Sequence, residues 1–293
     1  MKKILVLGSN GLLGASLVPY LLERGENVIT AGRSSQLDHV LNMTDVEAVR
    51  SLIEAVHPDV MINLIAATNV DVCEIDVPMA VQGNALVPSF LSTAIAQSRC
   101  PDIHLIHVST DQVYDGKGGH KEANISPMNV YGLTKLTGEL LIKCKKATIL
   151  RTNFFGKSRS ATRESFSDWI YNSLQREEPI TLFTDVVFNA MHISSLCVLM
   201  QIIYKNQITG TYNAGCRTGI SKADYAIAFA SALGLSLKTA SMGELTARPL
   251  QARRPLNMTM NVDKLSCALA PYGARCPEMQ DEIAKTAMEY EHA

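Results

Sequence analysis

The chain has 293 residues, 47% of them hydrophobic, enough to bury one large core or two unequal ones. A formal net charge of −1, 6% aromatic residues and no basic stripe leave no electrostatic footprint for nucleic acid. No stretch approaches the ~18 to 20 apolar residues that span a bilayer, and the seven scattered cysteines contain no Cys-x-x-Cys pair, which argues against a disulfide framework, a zinc site and a membrane anchor. A cytoplasmic protein is therefore expected.

The first apolar run, Ile4 to Leu7, follows two lysines as a secretory leader would, but it is too short for one and reads as a buried strand. Gly8-Ser9-Asn10-Gly11-Leu12-Leu13-Gly14 then leads into a helix predicted over 12–23. In such a loop the first glycine allows a tight turn, the second lets backbone approach a pyrophosphate, and the third lets helix pack closely on strand. The helix N-terminus adds free N–H groups and partial positive charge. Gly8, Asn10, Gly11, Leu12, Leu13 and Gly14 are thus candidate dinucleotide contacts.

The second strand, Val28 to Ala31, ends in Gly32-Arg33-Ser34-Ser35, where an NAD-binding protein would carry an acid for the ribose 2′-hydroxyl. A guanidinium at Arg33 and a hydroxyl at Ser34 suit a 2′-phosphate instead, so NADP(H) is favoured, with NAD(H) use left open.

Apolar runs continue to alternate with amphipathic ones: strands at Val40 to Leu41, Val60 to Leu64, Ile103 to Ser109 and Thr148 to Arg151, helices over 45–56, 77–98 and 129–144. Several of these strands are apolar without alternation, as expected when helices cover both faces of a sheet. The pattern predicts an α/β fold, a Rossmann-type doubly wound parallel sheet. The fifth strand ends at Thr110-Asp111-Gln112, at the carboxyl edge where ligands bind in open α/β sheets. The next helix opens with Tyr131-Gly-Leu-Thr-Lys135, which sets a phenol and an ammonium on one face. A nearby cation is expected to lower the phenol's pKa from its usual value near ~10; in the reducing direction the phenol is the proton donor, and Thr110 a hydrogen-bond donor to the substrate oxygen. His104 and His107, on the fifth strand, read as structural.

After Arg151 the regularity fades. The Ser/Arg-rich stretch KSRSATRES is followed by a helix-like segment, a short strand at Ile180 to Phe183, and further helices, including a solvated amphipathic one near 278–290. Residues 1–152 with part of 185–215 are expected to form the dinucleotide-binding domain. Residues 153–184 and 216–293 form an interleaved, smaller C-terminal substrate lobe.

The stretches GSNGLLG, VMINLIAATNVDVCE, STDQVYDG, YGLTKLTGE, LRTNFFG and RPLNMTMNVDKL, in that order, resemble the dTDP-4-dehydrorhamnose reductase branch of the extended short-chain dehydrogenases/reductases. The resemblance implies reduction of a 4-keto-6-deoxy nucleotide sugar, with Thr110, Tyr131 and Lys135 catalytic and Tyr131 and Lys135 also touching the cofactor. It places Asn42 and Met43 near the adenine, Leu64, Ile65 and Ala66 along the cofactor, and Thr68, Val70, Gln112, Phe154 and Arg254 toward the sugar nucleotide. Phe154 stands where the family often has tryptophan, and Gln112 where it often has an aromatic residue. Some members hold a metal at a dimer interface through an acid in the first helix; Ser16 occupies that place here, so no metal is expected, while a homodimer stays open.

Three other functions share much of this pattern. A 4,6-dehydratase needs an acid and base beside the threonine, usually Asp-Glu, whereas here the pair is Asp111-Gln112. An epimerase needs the same tyrosine and lysine and consumes no net cofactor. The regulatory subunit of methionine adenosyltransferase is similar to this branch and represents a non-catalytic reading, against which the joint presence of Thr110, Tyr131 and Lys135 argues.

Overall fold

The computed structural model describes residues 1–247 and 250–291. The strands are β1 (Lys3–Leu7), β2 (Asn27–Gly32), β3 (His39–Val40), β4 (Val60–Asn63), β5 (His104–Thr110), β6 (Ala147–Thr152), β7 (Phe154–Phe155), β8 (Ile180–Phe183), β9 (Val187–Phe188), β10 (Met191–His192), β11 (Gly210–Ala214), β12 (Ile220–Ser221) and β13 (Ala240–Gly243). The helices are α1 (Gly14–Glu23), α2 (Val46–Val56), α3 (Val70–Ile75), α4 (Val77–Val81), α5 (Val87–Gln97), α6 (Val130–Leu141), α7 (Phe166–Gln175), α8 (Ile193–Lys205), α9 (Lys222–Ala232), α10 (Asp263–Leu269) and α11 (Met279–Glu291).

Seven strands form one sheet in the order β11-β6-β5-β4-β1-β2-β3, and every pairing in it is parallel. The Rossmann-type expectation holds. Side chains alternate across each strand, and β1 shows what that alternation does. Ile4 and Val6 enter one apolar cluster with Leu17 and Leu21 of α1 and Met200 and Ile203 of α8. Leu5 and Leu7 enter another with Ile53 of α2 and Leu91 of α5. Helices therefore cover both faces, which is why the strand reads as an unbroken apolar run. The first cluster continues into Ile170 of α7, Tyr225 and Phe229 of α9 and Tyr290 of α11, so the later helices share its core.

Among the departures from the sequence reading are β11 and the segment over 77–98. β11, beside β6, carries only two strongly apolar side chains, Tyr212 and Ala214, and gives no strand signal. The helix predicted over 77–98 is instead α4 and α5 joined by a π turn at Gln82–Leu86. There the buried Asn84 accepts a hydrogen bond from the Ala67 amide at 2.8 Å and donates to the Ala67 carbonyl and to Thr134 Oγ1, each at 3.1 Å. It thereby ties the segment after β4 to α6.

All strands run the same way, but the order in which they are laid down switches sides between β1 and β4: β2 and β3 extend the sheet one way from β1, and β4, β5, β6 and β11 the other. Parallel sheets bind ligands outside the carboxyl ends of strands at such a point. The turn after β1 and the segment after β4 meet there, with the Leu64 amide donating to the Leu7 carbonyl at 2.9 Å.

Candidate active site

The glycine turn has the close approaches expected of it. Gly8 lies at φ +84°, and a Cβ at Gly14 would stand 2.5 Å from the Gly8 carbonyl oxygen and 2.6 Å from Ser9 Cα, so any side chain there would push α1 off β1. The Ser9 hydroxyl is buried without a hydrogen-bond partner, the kind of group that a bound ligand satisfies. Beside the turn lies a cavity of about 770 Å³, lined at one end by Arg33, Ser34, Asn42 and Met43 and at the other by Leu64, Ile65, Ala66 and Thr68.

A second cavity of about 390 Å³ adjoins it, and Gly8, Gly11, Leu64, Ala66 and Thr68 line both. Leu12, Leu13, Gly14, Thr110, Gln112, Tyr131, Lys135 and Phe154 also line the second. α6 begins where the Asn129 side chain accepts the Gly132 amide proton at 2.8 Å, a local N-cap that fixes the helix start. Gly132 then allows contact with the turn after β5, because a Cβ there would lie 2.3 Å from the Gln112 carbonyl oxygen. Tyr131 is thus held against Thr110.

Burial pushes the Tyr131 phenol up to about 12; a hydrogen bond with Thr110 pulls the other way, and Asp111 and Cys73 add to the rise. Sequence reasoning expected Lys135 to lower this pKa, and the structure corrects that. The phenol is too deeply buried for that, and one N–H of the Lys135 ammonium is donated to the Val108 carbonyl at 2.7 Å. Burial also pulls Lys135 down to about 8, against the attraction of Glu139. Asp111 is pushed up to about 6 by burial, offset by hydrogen bonds from Asn153 Nδ2 at 2.9 Å and from Thr110 Oγ1 at 3.2 Å.

Two residues named from the sequence do not line either cavity. Val70 is buried behind Tyr131 with Cys73, Ala80 and Ala252, and Arg254 is engaged by Asp71 at 2.8 Å and by the Ala252 carbonyl at 2.8 Å. The Gln112 side chain accepts a hydrogen bond from Asn129 at 3.1 Å. His107 is buried against Asn63 at 3.0 Å, and His104 against Thr148 at 2.7 Å. Sequence reasoning missed Asn153, Met79, Gln82, Gly83, Arg163 and Glu164 in the cavity walls. Asn153 directly follows β6 at the sheet's carboxyl edge, a position that could have marked it; the others carry no motif.

A family model described as the RmlD substrate binding domain matches residues 1–291. The chain belongs to the RmlD family. A dTDP-4-dehydrorhamnose reductase of Aggregatibacter actinomycetemcomitans is 30% identical over 92% of this chain and 93% of its own. A probable low-salt glycan biosynthesis reductase of Haloferax volcanii is 29% identical over 95% of each chain. Among solved structures, a dTDP-4-dehydrorhamnose reductase of Clostridium acetobutylicum superposes with a TM-score of 0.86 at 25% identity, covering 99% of both chains. The resemblance read from the sequence is therefore borne out, and the chain is an oxidoreductase of the dTDP-4-dehydrorhamnose reductase-like RmlD family.

Proposed function

We propose that this RmlD-family chain reduces the 4-keto group of a 4-keto-6-deoxy sugar nucleotide to a hydroxyl at the expense of NADPH. The reading is carried by the convergence of Thr110, Tyr131 and Lys135 on a cavity that opens along the glycine turn. The close-packed glycines and the unpartnered Ser9 hydroxyl suit a dinucleotide with its pyrophosphate at the N-terminus of α1. When bound, the dihydronicotinamide supplies hydride. Thr110 turns its hydroxyl from the Asp111 carboxylate to the ketone oxygen and holds the charge that grows there. Tyr131, kept protonated by its raised pKa, gives that oxygen its proton. Lys135 has further N–H groups beyond the one on Val108, and these steady the phenolate left behind and hold the nicotinamide ribose. Phe154, Gln112 and Thr68 shape the sugar side.

The test is a panel of 4-keto-6-deoxy sugar nucleotides scored by NADPH absorbance, with one NADPH consumed per sugar reduced. Sugar interconversion without net NADPH loss would instead indicate an epimerase, and tight NADPH binding without turnover a non-catalytic protein. Arg33, exposed in the cavity wall after β2, supports the preference for the 2′-phosphate. Arg33→Ala is expected to raise KM for NADPH ~10-fold or more, as loss of a charge-assisted hydrogen bond does, and to leave KM for NADH unchanged. A parent enzyme that prefers NADH would remove Arg33 from this role.

A further inference from the structure

Between β7 and α7 the chain crosses the glycine turn in a segment that is pinned at its base, apex and far end. At its base the Lys157 amide donates to Glu289 of α11 at 2.8 Å, and the Ser158 amide to Asp168 at 3.1 Å. The Ser158 hydroxyl closes the segment on itself by donating to the Arg163 carbonyl at 2.6 Å. At its apex the Ser160 hydroxyl donates at 2.8 Å to the carbonyl of Asn10, inside the glycine turn. Its far end is locked by the reciprocal capping of α7 between Ser165 and Asp168.

Arg163 is the cation this segment presents to both cavities, where the glycine turn lines them too. Unlike Arg217, paired with Glu278, and Arg254, paired with Asp71, it takes part in none of the ion pairs among the described residues. Its acidic neighbour Glu164 is turned to Asn172 at 2.7 Å. An arginine with a free guanidinium, backbone-pinned over a loop that offers N–H groups to phosphate, suits bidentate recognition of phosphate oxygens.

We propose that Arg163 closes over the pyrophosphate of the bound dinucleotide from the side opposite the glycine turn, so that the anion is held between backbone amides and a guanidinium. This rests on the NADP(H) reading above. A diphosphate belonging to the sugar nucleotide would put Arg163 in the catalytic cavity alone, whereas Arg163 also lines the cavity that holds Arg33 and Ser34.

The experiment is fluorescence titration of the full chain and of Arg163→Gln with NADPH, with 2′-AMP, which keeps the 2′-phosphate and lacks both phosphates of the pyrophosphate, and with dTDP as the probe of a substrate diphosphate. The expected result is a rise in the NADPH Kd of ~10-fold or more, as loss of a charge-assisted contact produces, with a shallower salt dependence and unchanged Kd for the other two ligands. An unchanged NADPH Kd in the variant overturns the proposal, as does an equal loss for 2′-AMP or a loss confined to dTDP. A parent chain that fails to bind NADPH removes the cofactor reading itself, a result distinct from a parent and variant that bind alike.

Discussion

Tyr131→Phe is expected to lower turnover ~100-fold or more while NADPH affinity stays within about twofold, the mark of a lost general acid. The aromatic ring packs against Val70, Cys73, Ala80 and Ala252, contacts a phenylalanine ring keeps. What goes is the one proton that burial holds on the phenol up to about 12. Asp111 is no substitute, because its carboxyl, raised only to about 6, is mainly ionised at neutral pH and has no proton to give. Single-turnover consumption of NADPH beside a binding titration separates chemistry from affinity. A variant as fast as the parent would place the proton donor elsewhere and leave Tyr131 a packing residue.

Glu139→Gln should be the more damaging change to the fold. Glu139 follows Tyr131 and Lys135 on one stripe of α6, and its carboxylate meets Arg151 of β6 through Nε at 3.0 and 3.1 Å and through Nη2 at 2.6 Å. Both side chains are under 5% exposed. The Ser109 hydroxyl also donates to Glu139, and Arg151 Nη1 donates to Tyr114 at 2.7 Å and to the Glu122 carbonyl at 2.6 Å. Neutralising Glu139 strands a buried guanidinium, which costs about 3–5 kcal/mol, read as a lower thermal midpoint at roughly 2 to 4 °C per kcal/mol. The exposed pair Arg50–Glu47 is the control, since Glu47→Gln should leave the midpoint unchanged. If the two variants melt alike, the Glu139–Arg151 pair does not secure α6 to the sheet.

The sheet and the glycine turn were legible because their causes are local: several of the strands covered on both faces read as near-continuous apolar runs, and a strand-Gly-helix junction must use glycine where a Cβ would strike backbone. Tyr131 and Lys135 were legible as helical neighbours. The sign of the Tyr131 shift was not, since it depends on how deeply α6 is sunk against the turn after β5, a tertiary fact that Gly132 permits but does not announce. β11 escaped for a related reason. Asn213 lies in the middle of that strand and looks like a turn residue, yet it is buried, accepting from Tyr114 at 2.7 Å and donating to the His120 and Asn261 carbonyls at 2.8 and 3.1 Å. Arg163 lay in a stretch whose composition reads as surface loop, and only the hydrogen bond from Ser160 to Asn10 reveals what that loop crosses.

The position of β11 bears on how the chain matures during synthesis. The strand that covers the outer side of β6 is supplied only after β7 to β10 and two helices have been made. A nascent polypeptide halted before residue 210 therefore bares the backbone of β6 as an open edge, with the Tyr114 hydroxyl still lacking its acceptor on Asn213. Such long-range closure slows acquisition of the native state and marks this edge as the place where an incomplete product would self-associate.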